Sequence, residues 1–487
     1  MRPLDNKSRW IALYVLCTGM LMIVLDATVV NVALPSIQDE LGFTSSSLAW
    51  VVNAYMIAFG GLLLLAGRLG DLIGRRTIFL AGLAIFTIAS LLCGIAQTQW
   101  MLVGARFLQG VGGAMTSAVI LGMIVTMFPE PREQAKAIGV YAFVASAGGS
   151  VGLLAGGVLT ESINWHWIFF INLPIGIATA VWALRLLEHD RGIGFRQGAD
   201  IPGATLITAS LMLGVYAIVS PASGPQHAAR APWLGGLALV LFVAFLVREA
   251  TARSPLIPLR IFRSRNISGA NVIQALSVAG MFGMFFLGSL YLQRVLGYDA
   301  LEIGLAFVPV TIVMGVLSIR YSERLVMRFG ARRTLIPGLA LIMAGLIVFM
   351  FAPVNGSYVV HVLPVMILLG TGAGLAFPAL MNLAMSGTSG EDAGLASGLI
   401  NTTAQVGGAL GLAVLAVFAA SRSDSVLAGG QSSEAAALTS GYHLAFGIGA
   451  VLLAVCIVVG LAVMRPQPAP SLDTSSETEE RKVLVSV

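Results

Sequence analysis

The segment GRLGDLIGRRT, residues 67–77, returns later in the chain as ERLVMRFGARRT, residues 323–334, and each copy separates two long apolar runs. Alignment of the two copies pairs Leu69 with Leu325, Gly74 with Gly330 and Arg76 with Arg332. The second copy is degraded, because a methionine stands at the position that matches Asp71. This self-similarity at a large separation predicts that the chain contains two related halves.

A second repeated segment supports the same division. GVGGAMTSA, residues 110–118, parallels GTGAGLAFP, residues 370–378, at nearly the separation of the first pair. Chance similarity among glycine-rich helices could explain either pair alone, but two pairs at almost one offset argue against chance. We therefore expect two halves of the same topology in parallel order.

The composition restricts the class of protein. Of the 487 residues, 57% are hydrophobic and only 10% are charged, whereas soluble chains carry about 25% charged residues. A soluble enzyme, a disordered scaffold and a disulfide-stapled secreted module are therefore excluded. The apolar residues fall into blocks of about 20, which is the length of a membrane-spanning helix. Barrel strands would be short and alternating, so the sequence predicts an all-α polytopic membrane protein.

Fourteen apolar blocks are long enough to span a bilayer. They cover approximately residues 10–34, 48–67, 77–97, 101–128, 136–160, 167–187, 201–220, 232–247, 267–293, 301–320, 334–352, 358–386, 393–420 and 441–464. The repeat places six spans in each half and leaves the middle pair as an insertion. The predicted units are residues 1–192, the inserted pair 193–256, the second half 257–465, and a polar, disordered cytoplasmic tail 466–487.

The basic residues predict the orientation. An even number of spans puts both termini on one side, and a cytoplasmic placement puts nearly all lysines and arginines inside. Only Arg230, Arg294 and Arg422 fall outside, and Arg106 falls within a span. This bias is typical of inner-membrane topology. It also accounts for the net charge of +5 without nucleic acid as a partner.

Asp26 is the acidic residue that lies well inside a predicted span. A carboxylate near the bilayer centre costs about 3 kcal/mol on insertion scales, so intramembrane acids are functional-site candidates. We interpret Asp26 as a proton carrier that loads outside and releases inside; the alternative is a structural, permanently neutral or hydrogen-bonded acid. Asp26 lies nine residues before Pro35, where the first helix leaves the membrane on the outside, and Arg106 lies six residues after Trp100, an interfacial anchor on the same side. At 1.5 Å per residue, the two side chains lie about 13 and 9 Å below the outer surface. These similar depths permit coupling between them, directly or through water.

Four segments carry a resemblance to the major facilitator superfamily, and within it to the fourteen-helix drug:proton antiporters. LDATVVNVALPSI (25–37) resembles the first-helix signature, GRLGDLIGRR (67–76) the loop motif, and RFLQGVGGA (106–114) the fourth-helix motif. GGSVGLLAGG (148–157), followed by WHWIFFINLPIG (165–176), resembles the antiporter motif of helix five and its sequel. In this chain Leu153 replaces a proline of the helix-five motif, and His166 replaces an arginine between the tryptophans.

The resemblance implies roles for two groups of residues. In the family, the arginine that Arg106 matches assists proton transfer; a static ion pair or a snorkelling arginine is the alternative. The loop motif implies a conformational latch, formed by the residues Gly67, Asp71, Gly74, Arg75 and Arg76. Asp71 would meet a helix N-terminus or a basic partner in one state only. Plain topology explains the two arginines equally well.

Two further groups are candidates. Gly148, Gly152 and Gly156 recur every four residues, with Gly157 adjacent, and such a row permits close helix approach. We expect either contact between the halves that closes the inner leak path, or ordinary packing. On the ninth span, flexible apolar side chains suit a promiscuous substrate cavity, although lipid contact is the simpler interpretation. These side chains are Met281, Phe282 and Phe285.

The resemblance implies a proton-coupled antiporter of the cell membrane that exports lipophilic, often cationic, drugs or toxic compounds. A native lipid or metabolite as cargo is the alternative within the same fold. The sequence contains no phosphate-binding GxxxxGK[ST] loop, zinc helix or nucleophile elbow, so we expect no enzyme, no metal and no cofactor, with the proton gradient as energy source. The expected partners are substrate, protons and membrane lipids, with no obligate protein partner.

Overall fold

The structure is a computed structural model that describes residues 6–44, 47–187, 190, 192, 194, 200–223, 225–252, 255–385, 390–429 and 433–464. The predicted cytoplasmic tail, 466–487, lies outside these residues. The first half comprises α1 (Asn6–Leu41), α2 (Ala49–Ile73), α3 (Arg75–Gly94), α4 (Gln99–Met127), α5 (Pro131–Ser162), α6 (Trp167–Phe170) and α7 (Asn172–Leu186). The short α6 and α7 together form the sixth span.

The rest of the chain repeats this pattern after an inserted pair. The pair is α8 (Ile201–Val219) and α9 (Pro225–Thr251). The second half comprises α10 (Arg265–Arg294), α11 (Ala300–Leu317), α12 (Glu323–Phe329), α13 (Ala331–Phe349), α14 (Leu363–Met385), α15 (Gly390–Ala428) and α16 (Glu434–Ala462). A π-helical turn, Ser318–Ser322, joins α11 to α12.

The helices confirm the predicted fold class. Thirteen of the described helices are long and apolar enough to cross a membrane, and α5 stands at the position of the remaining predicted span. Each of the fourteen predicted blocks coincides with a helix, which commonly runs several residues further at one or both ends. The extra turns carry polar residues, and apolar runs mark only the part of a helix that lipid or core surrounds.

The internal repeat is visible in the packing. Gly74 ends α2 with φ 119° and Gly330 ends α12 with φ 85°, a backbone region that side chains rarely adopt. In the first half, a Cβ atom on Gly112 would lie 2.7 Å from the carbonyl oxygen of Gly82, so α3 and α4 touch backbone to backbone. In the second half, a Cβ atom on Gly372 would lie 2.5 Å from the carbonyl oxygen of Gly338, so α13 and α14 touch in the same way. We call the end of the bundle that holds the Gly74 and Gly330 turns the basic end.

The inserted pair attaches to the bundle through α8. The Cβ position of Gly61 on α2 lies 2.6 Å from Thr208 Oγ1 of α8, and the rings of Trp50 and Tyr216 are 6.4 Å apart. Helix α8 also contacts α15 of the second half. Helix α9 packs mainly on α8 and exposes an apolar face that includes Trp233, which is 83% exposed. A bilayer solvates such a face.

The two halves meet along two seams, α2 with α15 and α5 with α11. At the α5–α11 seam, a Cβ on Gly157 would lie 2.9 Å from the carbonyl oxygen of Ala300. An ion pair between Arg294 Nη2 of α10 and Asp39 Oδ1 of α1 also links the halves, at the end of the bundle opposite the basic end. The halves are therefore in contact at that end.

Candidate functional site: a buried ion pair at the centre of the first half

Asp26 of α1 and Arg106 of α4 are in direct contact. Arg106 Nη1 lies 2.5 Å from Asp26 Oδ2, and the two side chains are 0% and 1% exposed. The structure thus brings together two residues whose depths were predicted to permit coupling. Because they lie on different helices, the pair ties α1 to α4 in the interior of the first half.

Two amides complete the shell of the Asp26 carboxylate. Gln109 Nε2 donates to Asp26 Oδ1 at 2.6 Å, and Asn172 Nδ2 of α7 donates to the same oxygen at 3.0 Å. A carboxylate that accepts from three side chains fits the ionised form, which accepts hydrogen bonds and donates none. Protonation of Asp26 would turn one acceptor oxygen into a hydroxyl donor, although all three neighbouring side chains donate to this carboxylate.

Arg106 has further partners of its own. Its Nε donates to the carbonyl oxygen of Val51 on α2 at 2.9 Å, and Nη1 also donates to Gln109 Oε1 at 2.7 Å. The guanidinium carbon lies 4.5 Å from the centre of the Tyr55 ring, a distance at which a cation is attracted to an aromatic face. These contacts would hold Arg106 in place if Asp26 were neutral.

The sequence did not single out Gln109, Asn172 or Ser90. Gln109 Nε2 donates also to Ser90 Oγ of α3 at 2.8 Å, so the network joins α1, α2, α3, α4 and α7. A signal was present, because Gln109 follows Arg106 by three residues and thus shares its helix face. Nothing in the sequence indicated which residue of the sixth span would face Asp26.

The candidate latch residues lie together at the α2–α3 turn. Asp71 Oδ1 accepts from Arg75 Nη2 at 3.1 Å, and Arg75 Nη1 donates to the carbonyl oxygen of Gly122 on α4 at 2.8 Å. Arg76 Nη2 donates to the carbonyl oxygen of Leu184 at 2.6 Å. In this structure the described partner of Asp71 is therefore an arginine of its own motif.

The neighbourhood of the turn contains one residue that the sequence did not indicate. Asp190, which follows the sixth span, accepts from the backbone N–H groups of Arg75 at 2.6 Å and Arg76 at 3.1 Å. Its carboxylate thus caps the N-terminus of α3, where a negative charge is favoured. Gly74 leaves room for it, since a Cβ there would lie 2.6 Å from the carbonyl oxygen of Asp190. Gly67 lies farther from its neighbours, with Ala118 Cβ at 3.9 Å.

The glycine row of α5 packs in two directions. Cβ atoms on Gly148, Gly152 and Gly156 would meet side chains of α1, at 3.1, 1.9 and 2.7 Å respectively, so these glycines serve packing inside the first half. Gly157 faces α11 of the second half. Leu153 is buried in the same seam, and its carbonyl oxygen lies 2.7 Å from the Cβ position of Gly304. The contact with the second half is therefore made by Leu153 and Gly157, which are adjacent to the row.

The apolar side chains of the ninth span occupy three environments. Met281 is buried. Phe285 packs on Phe307 of α11, with ring centres 5.4 Å apart. Phe282 approaches Gly408 of α15, and Met56 of α2 reaches the same glycine from the other half. Of the three, Phe282 is therefore the one beside the α2–α15 seam.

Comparison with known proteins places the chain in a family. Residues 16–412 match the Major Facilitator Superfamily. The chain is 37% identical to the puromycin resistance protein of Streptomyces alboniger, over 98% of this chain and 96% of that protein. It is 39% identical to the cephamycin export protein of Amycolatopsis lactamdurans, over 92% and 91%. The tetracenomycin C resistance and export protein of Streptomyces glaucescens is 33% identical, over 85% and 76%.

The fold agrees with this relationship. A bacterial homologue of the human lysosomal transporter Spinster, solved in an inward-facing and unoccupied conformation, superposes with a TM-score of 0.70 over 94% of this chain and 98% of that chain. Its 16% identity relates the two proteins by fold alone. With a family match over most of its length and relatives that are transporters, the chain belongs to the major facilitator superfamily and is a multi-pass membrane transporter, not an enzyme.

Proposed function

We propose that the protein exports lipophilic drugs or toxic compounds, cationic ones among them, from the cell in exchange for protons. The observation that carries the proposal is the Asp26 carboxylate, which is fully buried and held by Arg106, Gln109 and Asn172. Relatives that confer resistance to puromycin or export cephamycin support drugs as cargo. A site with one acid and one base at its centre is suited to proton exchange.

The proposed coupling step is a change of charge at Asp26. When a proton binds to Oδ2, the ion pair with Arg106 Nη1 is replaced by a weaker contact between a cation and a neutral acid. Arg106 keeps its bonds to the Val51 carbonyl oxygen and to Gln109 Oε1, so α4 stays attached to α2 while its tie to α1 weakens. Helix α1 also contacts α10 and α11 of the second half. Protonation would thus favour a different arrangement of the halves.

The direction of transport follows from orientation. The distribution of lysine and arginine favours a cytoplasmic position for the basic end, so the end where Arg294 pairs with Asp39 would face outward. The halves are in contact there, and we take this arrangement as the one that binds cargo and releases the proton on the inside. Asp71 would then leave Arg75 for a helix N-terminus or another basic partner when the basic end closes.

An efflux assay tests the proposal. Energised cells that express the wild type should extrude ethidium and puromycin, and a protonophore should abolish the extrusion. Asp26→Asn should lose it at equal expression, whereas Asp424→Asn, which alters an exposed carboxylate near the end of α15, should not. If Asp26→Asn extrudes both compounds normally, the coupling site lies elsewhere. If the wild type moves neither compound, a native lipid or metabolite becomes the favoured cargo.

A further inference from the structure

A second buried acidic site lies at the base of the inserted helix pair. Asp200 directly precedes α8, and Glu249 lies in the last turn of α9. Each residue is only 3% exposed. The inserted pair packs against α2 and α15, whereas Asp26 lies on α1.

Each carboxylate uses one oxygen for structural contacts. Asp200 Oδ1 accepts from the backbone N–H of Gly203 at 3.0 Å and from Arg248 Nε at 3.0 Å. Glu249 Oε2 accepts from the backbone N–H of Ile257 at 2.8 Å. The second oxygens, Asp200 Oδ2 and Glu249 Oε1, have no hydrogen-bond partner among the residues that the structure describes.

The two unpartnered oxygens point at the same place. Asp200 Oδ2 lies 2.6 Å, and Glu249 Oε1 3.1 Å, from the position that a Cβ atom on Gly203 would occupy. The glycine therefore leaves a space about the size of one methyl group, and both oxygens border it. A larger residue at 203 would fill this space and separate the carboxyl groups.

Among the residues that the structure describes, Arg248 is the cation that contacts the pair. Arg248 contacts Asp200 Oδ1, which is not the oxygen that borders the space, and the Arg248 side chain is 45% exposed. Helix α2 contributes Leu65 to the surrounding apolar cluster and carries Arg68 one turn further on, which has contacts of its own. The following connector contributes Leu256 and Ile257, and Arg253 lies outside the described residues. Two adjacent buried carboxyl groups of this kind cannot both ionise without a large cost.

We propose that Asp200 and Glu249 together bind one proton, either directly between Oδ2 and Oε1 or through one water molecule in the space beside Gly203. The proton comes from the solution at the basic end and adds to the pair without any other bond being formed or broken. It supplies the donor that both oxygens lack. The pair then carries one negative charge, which Arg248 compensates.

The site joins the inserted pair to the second half. Glu249 holds the backbone of Ile257, and the Ile257 side chain packs against two clusters. One contains Leu65 of α2 and Ala204 of α8; the other contains residues of α10 and α15, Ile267, Ala396 and Leu399. Loss of the proton would therefore loosen the attachment of the inserted pair to both halves.

Infrared difference spectra of the purified protein between about pH 6 and pH 9 test the proposal. The Asp26→Asn background removes the other buried acid from the signal. This protein should lose a protonated-carboxyl band as the pH rises, and the additional change Glu249→Gln should abolish that loss, because the amide is a permanent donor. Glu161→Gln, at the exposed end of α5, is the matched control and should leave the loss intact.

Thermal unfolding gives an independent measurement. The melting temperature of the wild type should fall by about 3 °C between pH 6 and pH 9 as the shared proton is lost. Glu249→Gln should remove most of this fall, and Asp200→Asn should do the same. The proposal is overturned if the band loss persists in Glu249→Gln, or if the melting temperature follows the sodium concentration instead of the pH, which would indicate a bound cation.

Discussion

Replacement of Arg106 by methionine should destabilise the protein far more than removal of both charges together. Arg106 Nη1 lies 2.5 Å from Asp26 Oδ2, and neither side chain has meaningful exposure. Loss of one partner of such a pair costs about 3–5 kcal/mol, because the remaining charge is buried without compensation. In the double variant Asp26→Leu with Arg106→Met, no charge remains, and the cost should be small or absent.

The expected effect can be expressed as a temperature. Unfolding entropies of about 2.1 cal/mol/K per residue make 1 kcal/mol equal to about 1 °C for 487 residues. Arg106→Met should therefore lower the melting temperature in detergent by about 3–5 °C, and the double variant should recover most of it. In the single variant, the folded protein must bind a proton at Asp26 to avoid an unpaired buried charge. Each pH unit upward makes that protonation, and therefore the folded state, less favourable by up to about 1.4 kcal/mol. The destabilisation should thus grow from pH 6 to pH 8. Equal melting temperatures for the wild type and Arg106→Met at both pH values would refute the interpretation of the site as an ion pair.

Two further predictions concern the contact between the halves at the end opposite the basic end. Asp39→Arg or Arg294→Asp alone should break the contact between the halves, and the two changes together should restore it, because this ion pair joins the halves. The measurement is the rate of maleimide labelling of Leu153→Cys, a buried seam position, in a protein without its native cysteines. Each single variant should label faster than the double variant. Equal labelling rates in the single and exchanged variants would contradict this role. Gly157→Val should increase the same labelling and reduce transport, because its side chain would overlap backbone of α11. Gly149→Ala, whose Cβ finds neighbours only at 4.0 Å, should behave as the wild type.

The sequence predicted the helices and their duplication because both depend on local signals. Apolar runs mark spans, and Gly74 and Gly330 mark turns that require a positive φ. The predicted boundaries were short by several residues at many ends, for example at α1, which continues to Leu41. Polar residues at helix ends carry no apolar signal, although their backbone remains helical.

The composition of the site was predictable only in part. Asp26 and Arg106 stood out because charges in spans are rare. Gln109 and Asn172 did not, since amides occur on many helix faces and only the rotation of each helix in the bundle decides which ones meet Asp26. The same limitation applied to the glycine row, because a small-residue pattern permits close packing but does not identify the partner helix. For Gly152 that partner is α1.

The site at the base of α8 and α9 illustrates a different limitation. Asp200 and Glu249 lie at the ends of predicted spans, where acidic residues are common and carry no special meaning. Their burial arises because the connector after α9 folds back over them, as the bond from Ile257 to Glu249 shows. Contacts of this kind between a helix end and the irregular segment that follows it have no periodic signal.

The most direct test of the central claim is proton movement in proteoliposomes that contain the purified protein and a pH-sensitive dye inside. If Asp26 carries the proton, an imposed substrate gradient should drive protons in the opposite direction in the wild type and in Asp424→Asn, but not in Asp26→Asn. Substrate binding should persist in Asp26→Asn, since the amide can still accept from Arg106. Substrate-driven proton movement of wild-type size in Asp26→Asn would contradict the account.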